Sequence, residues 1–131
     1  MASQAKGTFD VKLTPQPPDA GADAAIGRMS IAKTYHGDLD GTAIGQMLAH
    51  MTAVDGSAVY VALERVDGKL HGLSGTFVLQ HSGVMVRGKQ QLSVTVVADS
   101  GTGELVGLAG PLDIIIDGGK HSYVLEYTIG A

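Results

Sequence analysis

The chain has 131 residues, of which 44% are hydrophobic and 17% charged, a composition typical of one globular domain spanning residues 1–131. The formal net charge of −4 and the scattered placement of nine basic residues argue against binding to nucleic acid or to an anionic membrane. Because cysteine is absent, disulfides, thiolate metal sites and a cysteine nucleophile are excluded.

Period-two alternation predicts the first two strands, over residues 7–14 and 26–36. We expect residues 1–6 to be a flexible terminus and the proline-rich residues 15–25 to form a surface loop. The first strand places three apolar side chains on one face: Phe9, Val11 and Leu13. The second strand places these four side chains together: Met29, Ile31, Lys33 and Tyr35. Asp and Gly in residues 37–41 predict the turn that follows.

Residues 42–53 allow two interpretations. Helical spacing and helix-favouring composition connect these four residues: Ile44, Met47, Leu48 and Met51. A strand would instead place a different set on one face: Ala43, Gly45, Met47, Ala49 and Met51. The periodicity alone favours the helix.

The rest of the chain is rich in β-branched residues separated by turn signals. Further strands are predicted over these ranges: 57–66, 69–80, 91–98, 112–116 and 121–129. Turns are predicted at Asp67-Gly68, at residues 81–83 and at residues 117–119. Seven or eight short strands without alternating helices predict an antiparallel sandwich or barrel and argue against a parallel sheet.

Motifs for nucleotide, metal or nucleophile chemistry are weak. The glycine-rich residues 100–110 lack the Lys-Ser/Thr pair of a phosphate loop, and a proline and a strand follow them instead of a helix. None of the five histidines has the spacing of a known metal motif, and no serine lies in a Gly-x-Ser-x-Gly elbow. We therefore expect neither a metal nor a cofactor.

The most informative feature is polar chemistry within apolar strands. Alternation places Tyr60 and Glu64 on one face of the strand over residues 57–66, together with the small Ala58 and Ala62. If this face points inward, the small residues leave room for a ligand, and a carboxyl group there has a raised pKa suited to acid or base catalysis. The alternative is that this face points outward and that three other residues fill the core: Val59, Val61 and Leu63.

Four blocks carry a resemblance to a known family: KTYHGDLDG (33–41), GSAVYVALERVDGKLHG (56–72), GTFVLQHSG (75–83) and SGTGELVGLAG (100–110). Their order and spacing resemble a bacterial family of uncharacterised proteins with an allene-oxide-cyclase-like barrel. The resemblance implies an all-β fold, a closed antiparallel barrel of about eight strands, and therefore a strand over residues 42–53. A barrel of this size holds its own side chains or one small ligand. The resemblance implies no function and no catalytic residue.

Three functions remain open. In the first, the barrel binds a small, mostly apolar molecule, and the candidate ligand-binding residues are Tyr60, Gln80, His81, Tyr35 and Met47. In the second, the protein is a cofactor-independent cyclase or isomerase of a small hydrophobic substrate, with Glu64 as the candidate catalytic acid or base. In the third, the barrel is filled by its own side chains and the protein has a structural or interaction role.

Assembly and location are predicted from the same sequence. Strands that are apolar on both faces, over residues 57–66 and 112–116, predict a homo-oligomer, most simply a dimer. Residues 1–13 lack the apolar stretch of a signal peptide, and no apolar run approaches the length of a membrane span. We therefore expect a cytoplasmic protein.

Overall fold

The computed structural model describes residues 2–17, 21, 23 and 25–130, and these residues form an almost entirely β structure with a single 3-10 turn at Gly103–Leu105. The strands are β1 Ser3–Gln16, β2 Gly27–Gly37, β3 Leu39–Met51, β4 Ala58–Leu70, β5 Leu73–Val86, β6 Lys89–Val96, β7 Leu108–Ala109, β8 Leu112–Asp117 and β9 Lys120–Ile129. The predicted all-β class is confirmed.

The long strands form one antiparallel sheet that curls into a barrel. Its strand order is β6-β5-β4-β3-β2-β1-β9, and β8 pairs with β9 on the far side. The two sheet ends meet through a bridge between Thr95 and Pro111 and a hydrogen bond of 2.9 Å from the Val96 N–H to the Gly110 carbonyl. The predicted antiparallel barrel of about eight strands is confirmed, with β6 and β8 as the incompletely paired seam.

The barrel is packed at the end where β6 and β8 meet. Fully buried side chains from five different segments converge there, namely Leu39, Leu70, Phe77, Leu105 and Tyr123. Leu105 and the neighbouring Leu108 come from the segment that joins β6 to β8, so this segment covers the packed end. Inward-facing side chains therefore fill this half of the barrel.

Residues 42–53 are a strand for most of their length, as the family resemblance implied and the helical periodicity did not. β3 pairs with β2 on one side and with β4 on the other, so its backbone is hydrogen-bonded on both edges. Ala43 is buried whereas Ile44 is 76% exposed, which is the alternation of a strand with one inward face. Pairing on both edges overrides the local preference for a helix.

Two predicted turns are wrong. Asp67-Gly68 lies within β4, and residues 81–83 lie within β5; the chain actually turns at His71-Gly72 and at Arg87-Gly88. All four of these turn residues have positive φ, as a two-residue hairpin of type I′ requires.

The glycines at the two mispredicted turns have a packing role. A Cβ on Gly68 would lie 2.6 Å from Gly41 Cα, and a Cβ on Gly83 would lie 2.1 Å from Cε1 of the Tyr60 ring. Close approach of a neighbouring strand or ring, rather than a reversal of the chain, explains both glycines.

The N-terminal segment is ordered where we expected a flexible terminus. β1 begins at Ser3, pairs with β9 from that residue onward, and has Ala5 fully buried, so residues 3–6 are part of the barrel wall. β1 also extends into the predicted loop, because Pro15 and Gln16 pair with β2. Of the predicted loop over residues 15–25, residues 18–20, 22 and 24 lie outside the described part of the chain.

Candidate functional site

Strand β4 turns the face that carries Tyr60, Ala62 and Glu64 into the barrel. Glu64 is 1% exposed and Ala62 is 5% exposed. The opposite face points outward, with Val59, Val61 and Leu63 between 42% and 57% exposed. The alternative in which those three residues fill the core is therefore wrong, and the small side chains of β4 lie inside.

Glu64 is the centre of a buried polar cluster. Its Oε1 accepts a hydrogen bond of 2.5 Å from the Tyr35 hydroxyl and one of 3.2 Å from the Lys33 ammonium. His81 Nε2 lies 3.2 Å from the same oxygen. Lys33 and Tyr35 come from β2 and His81 comes from β5, so three strands of the barrel supply the cluster.

Aromatic rings and the carboxylate replace the water that Lys33 loses on burial. Lys33 is only 8% exposed, and its Nζ lies 4.7 Å from the centroid of the Phe9 ring and 5.7 Å from that of Tyr35. Attraction to the ring faces adds to the ion pair with Glu64. This combination makes a buried ammonium tolerable, since a buried charge requires close compensation.

The pKa of Glu64 is lowered, contrary to the expectation of a raised value. Burial raises the pKa of this carboxyl group, but the hydrogen bond from His81, the charge of Lys33 and the hydrogen bond from Tyr35 together outweigh burial. Glu64 is therefore a carboxylate at neutral pH. Burial and the nearby Glu64 charge raise the pKa of Tyr35, so its hydroxyl stays protonated and donates.

The second carboxylate oxygen of Glu64, Oε2, can accept a further hydrogen bond. Lys33 Nζ lies 3.1 Å from Oε2, within ion-pair distance. Apart from this ion pair, Oε2 has no hydrogen-bond partner among the described residues, although the Glu64 side chain is fully buried. The ion pair thus compensates the charge of this oxygen and leaves its lone pairs available.

A cavity of about 360 Å³ opens at the end of the barrel opposite the packed core. Strands β3, β4, β5, β6 and β8 form its wall, and the lining is mostly apolar, including Met47, Ala49, Met51, Ala58, Tyr60, Gly83, Met85, Leu92 and Ile116. Alanine and glycine occupy positions where larger inward side chains would fill the space. The barrel is therefore filled at one end and hollow at the other.

The predicted site residues separate into three groups. Glu64, Tyr35 and His81 are in direct contact, and Tyr60 and Met47 line the cavity. The remaining candidate, Gln80, is exposed on the outer face of β5 and contributes to neither group. Its neighbours Leu79 and His81 point inward, and alternation places Gln80 on the opposite side.

Lys33 is the site residue that the sequence analysis missed. The alternation pattern distinguished Lys33, because it is the only charged residue among four alternating side chains on one face of β2. Its partner Glu64 is 31 positions away along the chain. The pairing depends on strand order and register, which alternation within one strand does not determine.

A second apolar surface lies outside the barrel, on adjacent strands β3 and β4. Its most exposed side chains are Ile44 at 76%, Leu48 at 46%, Val61 at 49% and Leu63 at 57%. Together with Val59 they define what we call the outer patch. Polar side chains lie beside it, among them Gln46, Arg65 and Gln80.

The described residues contain neither a cluster of metal-ligand type nor a membrane-spanning helix. Within residues 2–17, 21, 23 and 25–130, no three His, Asp or Glu side chains converge as metal ligands would. In the same residues, no helix has the length and hydrophobicity needed to cross a membrane.

Comparison with known proteins identifies relatives without a known function. A family described as "Protein of unknown function (DUF3224)" matches residues 5–127. A crystal structure at 1.84 Å of a DUF3224 protein of unknown function from Shewanella oneidensis MR-1 is 45% identical, with a TM-score of 0.92. The alignment covers 100% of this chain and 99% of that one. No curated protein matches the chain in sequence. The predicted membership of an uncharacterised bacterial family is confirmed.

Proposed function

The chain belongs to the DUF3224 family of proteins of unknown function, and we propose that it binds a small, mostly apolar molecule at the open end of its barrel. The observation that carries the proposal is the cavity of about 360 Å³ with its apolar lining. Ligand sites in proteins are concave and mostly apolar, with volumes from about 300 to 1,000 Å³. The proposed site is at the lower end of this range.

The cavity volume limits the size of the ligand. At about 30 Å³ per water molecule in the liquid, the cavity has room for about a dozen waters. Three methionines in the lining, Met47, Met51 and Met85, can adjust to ligands of different shape. The proposed ligand is therefore a small molecule rather than a long lipid.

Binding is favoured over catalysis by the state of Glu64. A catalytic acid or base works best with a pKa near the operating pH. The pKa of Glu64 is lowered and its carboxylate is held by Lys33, Tyr35 and His81. These contacts suit a fixed acceptor better than a group that gains and loses protons. The alternative function is that of a cofactor-independent cyclase or isomerase of a small hydrophobic substrate.

Two measurements test the proposal. Native mass spectrometry of the protein as purified is expected to detect a small molecule that is lost on denaturation.

Titration with prodan, a neutral fluorophore without hydrogen-bond donors, is expected to give saturable binding that Ala49→Leu weakens about tenfold by filling the cavity. Ala32→Leu, the same change at an exposed position of β2, is the matched control. Equal prodan affinity in both variants would place the binding elsewhere and contradict the proposal.

We propose that the protein forms a dimer through the outer patch. Five aliphatic side chains that are about half exposed or more present roughly 400 Å² of apolar surface, the size of the largest apolar patch on a typical protein, which is often functional. With the polar side chains beside it, the patch is large enough for the core of a standard interface of about 800 Å² per partner. A second copy is the proposed partner because one patch can meet itself across a two-fold axis.

Sedimentation velocity tests the dimer. The wild-type chain is expected to sediment as a dimer and Ile44→Lys as a monomer. Ile115→Lys places the same charge on β8, at a residue that is also exposed but outside the patch, and is expected to stay dimeric. A monomeric wild-type protein at micromolar concentration would refute the proposal. We also propose a cytoplasmic location, which cell fractionation tests.

A further inference from the structure

We propose that the ligand carries a neutral hydrogen-bond donor, such as a hydroxyl group, and that Oε2 of Glu64 accepts this hydrogen bond. The inference rests on the proposed binding function and specifies the chemistry of the ligand. It begins from the buried oxygen that has no hydrogen-bond partner within the described residues.

An unfilled acceptor of this kind is unusual in a protein interior. Most buried polar atoms have a hydrogen-bond partner, and a missing partner calls for a specific explanation. The other oxygen of the same carboxylate accepts from Tyr35 and Lys33 and lies at hydrogen-bond distance from His81. The cluster thus saturates Oε1 and leaves Oε2 for a further donor.

Glu64 lies on the same inward face of β4 as Tyr60, two inward positions further from the open end. Along the inward face of β4, Tyr60 lines the cavity, Ala62 follows, and Glu64 comes next. Across the ladders, Ala62 pairs with Met47 of β3 and with His81 of β5. The proposal therefore requires Met47, a long and flexible side chain of the cavity lining, to move aside when the ligand reaches Glu64.

Tyr60 provides independent support for this proximity. Its ring lies over Gly83 in the cavity wall. After burial, the charge of Glu64 is the second cause that raises the pKa of Tyr60. The carboxylate is thus close enough to act on a residue that borders the ligand.

The charges of the cluster favour a neutral donor. Lys33 and Glu64 compensate each other. An ammonium group on the ligand would add an uncompensated buried cation, and a carboxylate would add a second anion next to Glu64. A hydroxyl group adds a hydrogen bond without adding charge. The expected order of affinity is alcohol above ether, amine and carboxylate of similar length.

Displacement of prodan by matched probes tests the inference. 1-Octanol and 1-methoxyheptane are isomers that differ in having and lacking a donor; octylamine and octanoate supply the two charges. In the wild-type protein at pH 7, octanol is expected to bind at least about tenfold more tightly than each of the other three, the effect of one hydrogen bond to a charged acceptor.

The double variant Lys33→Met/Glu64→Gln controls for differences in hydration between the probes. It removes both charges and replaces the free acceptor oxygen by an amide N–H donor, which can donate to an alcohol and to an ether alike. The preference for octanol over the ether is expected to fall to within about threefold, with each displacement referred to the variant's own prodan affinity.

The outcomes separate this inference from the proposed function. No prodan binding to the wild-type protein overturns the proposed function itself. Binding of prodan with equal displacement by octanol and the ether overturns only the inference about the donor. An unchanged preference in the double variant shows that Glu64 is not the acceptor. If that variant does not fold, the order of affinities in the wild-type protein decides.

Discussion

Replacing Lys33 or Glu64 alone is predicted to destabilise the barrel much more than replacing both together. The side chains are 6% and 0% exposed, and Nζ lies 3.1 Å from Oε2. Lys33→Met leaves a buried carboxylate without its cation, and Glu64→Gln leaves a buried ammonium without its anion. Breaking a buried ion pair from one side costs about 3–5 kcal/mol.

The double variant Lys33→Met/Glu64→Gln is predicted to cost no more than about 2 kcal/mol. Both charges are then absent, so neither is left unpaired. The amide oxygen of Gln still accepts the hydrogen bond from Tyr35, and the remaining loss is that of charge-assisted hydrogen bonds. The summed costs of the two single substitutions should therefore exceed the cost of the double by about 3 kcal/mol or more.

Urea unfolding followed by circular dichroism measures these free energies, with an unchanged m-value as the check that the unfolded state is comparable. In a thermal scan, each single variant should melt roughly 12–20 °C below the wild type, at roughly 4 °C per kcal/mol for this chain length. A double variant as unstable as the sum of the singles would refute the reasoning, because the two charges would then act independently. A cost below about 1 kcal/mol for Lys33→Met would show that Lys33 is not desolvated.

Three further predictions follow from the structure. The folded-state pKa of Glu64 is lowered, so the ionised carboxylate contributes its full stabilisation of the fold above the ordinary pKa of 4.5, and this contribution is lost as the pH falls further. Urea unfolding from pH 7 to 3 should show this loss of unfolding free energy in the wild type and not in the double variant. Gly68→Ala should lower the free energy of unfolding by about 3 kcal/mol because backbone atoms block the new Cβ, whereas Gly83→Ala should lower it by about 1 kcal/mol because the Tyr60 ring can move. Equal losses for the two variants in urea unfolding would contradict this explanation. The Leu92 amide should exchange with solvent much faster than the Ala62 amide, because the Leu92 N–H faces the unpaired part of the seam between β6 and β8. Equal protection of the two amides from hydrogen exchange would indicate a fully closed barrel.

The inward face of β4 shows that alternation predicts which residues share a face but not which face points into the barrel. The sequence placed Tyr60, Ala62 and Glu64 on one face, and the structure has them there. Alternation could not decide whether that face points inward, because the opposite face, with Val59 and Val61, is more apolar by composition. Only the curvature of the whole sheet, which encloses one face, makes that choice.

Glycine was the main source of error in locating turns. Asp-Gly and Ser-Gly are good signals for a reversal, but Gly68 and Gly83 lie in the middle of long strands. Their function depends on a neighbour that is distant in sequence, Gly41 in one case and the Tyr60 ring in the other. The sequence shows the glycine but not the distant residue that it contacts, so β4 and β5 were predicted to end at these glycines and were too short.

The same limit explains the incomplete prediction of the site. Glu64, Tyr35 and His81 were selected individually, as polar residues in apolar strands, without any means of bringing them together. The contact arises because β4 pairs with β5 on one side, while β2 lies beyond β3 on the other side and the curved sheet brings its inward side chains towards Glu64. Lys33 and the lowered pKa of Glu64 follow from that arrangement, so neither was accessible before the register was known.

The position of the ion pair bears on why the cluster is present at all. Apolar residues of similar volume in place of a buried ion pair commonly leave a protein equally or more stable, so stability alone does not explain Lys33 and Glu64. The packed end of this barrel is built from apolar and aromatic side chains, and along β4 Glu64 lies between the core residue Val66 and Tyr60, which lines the cavity. A polar layer at this position gives a ligand in the cavity something to recognise. If the double variant is stable and binds prodan but no longer distinguishes octanol from its ether, the cluster serves recognition rather than folding.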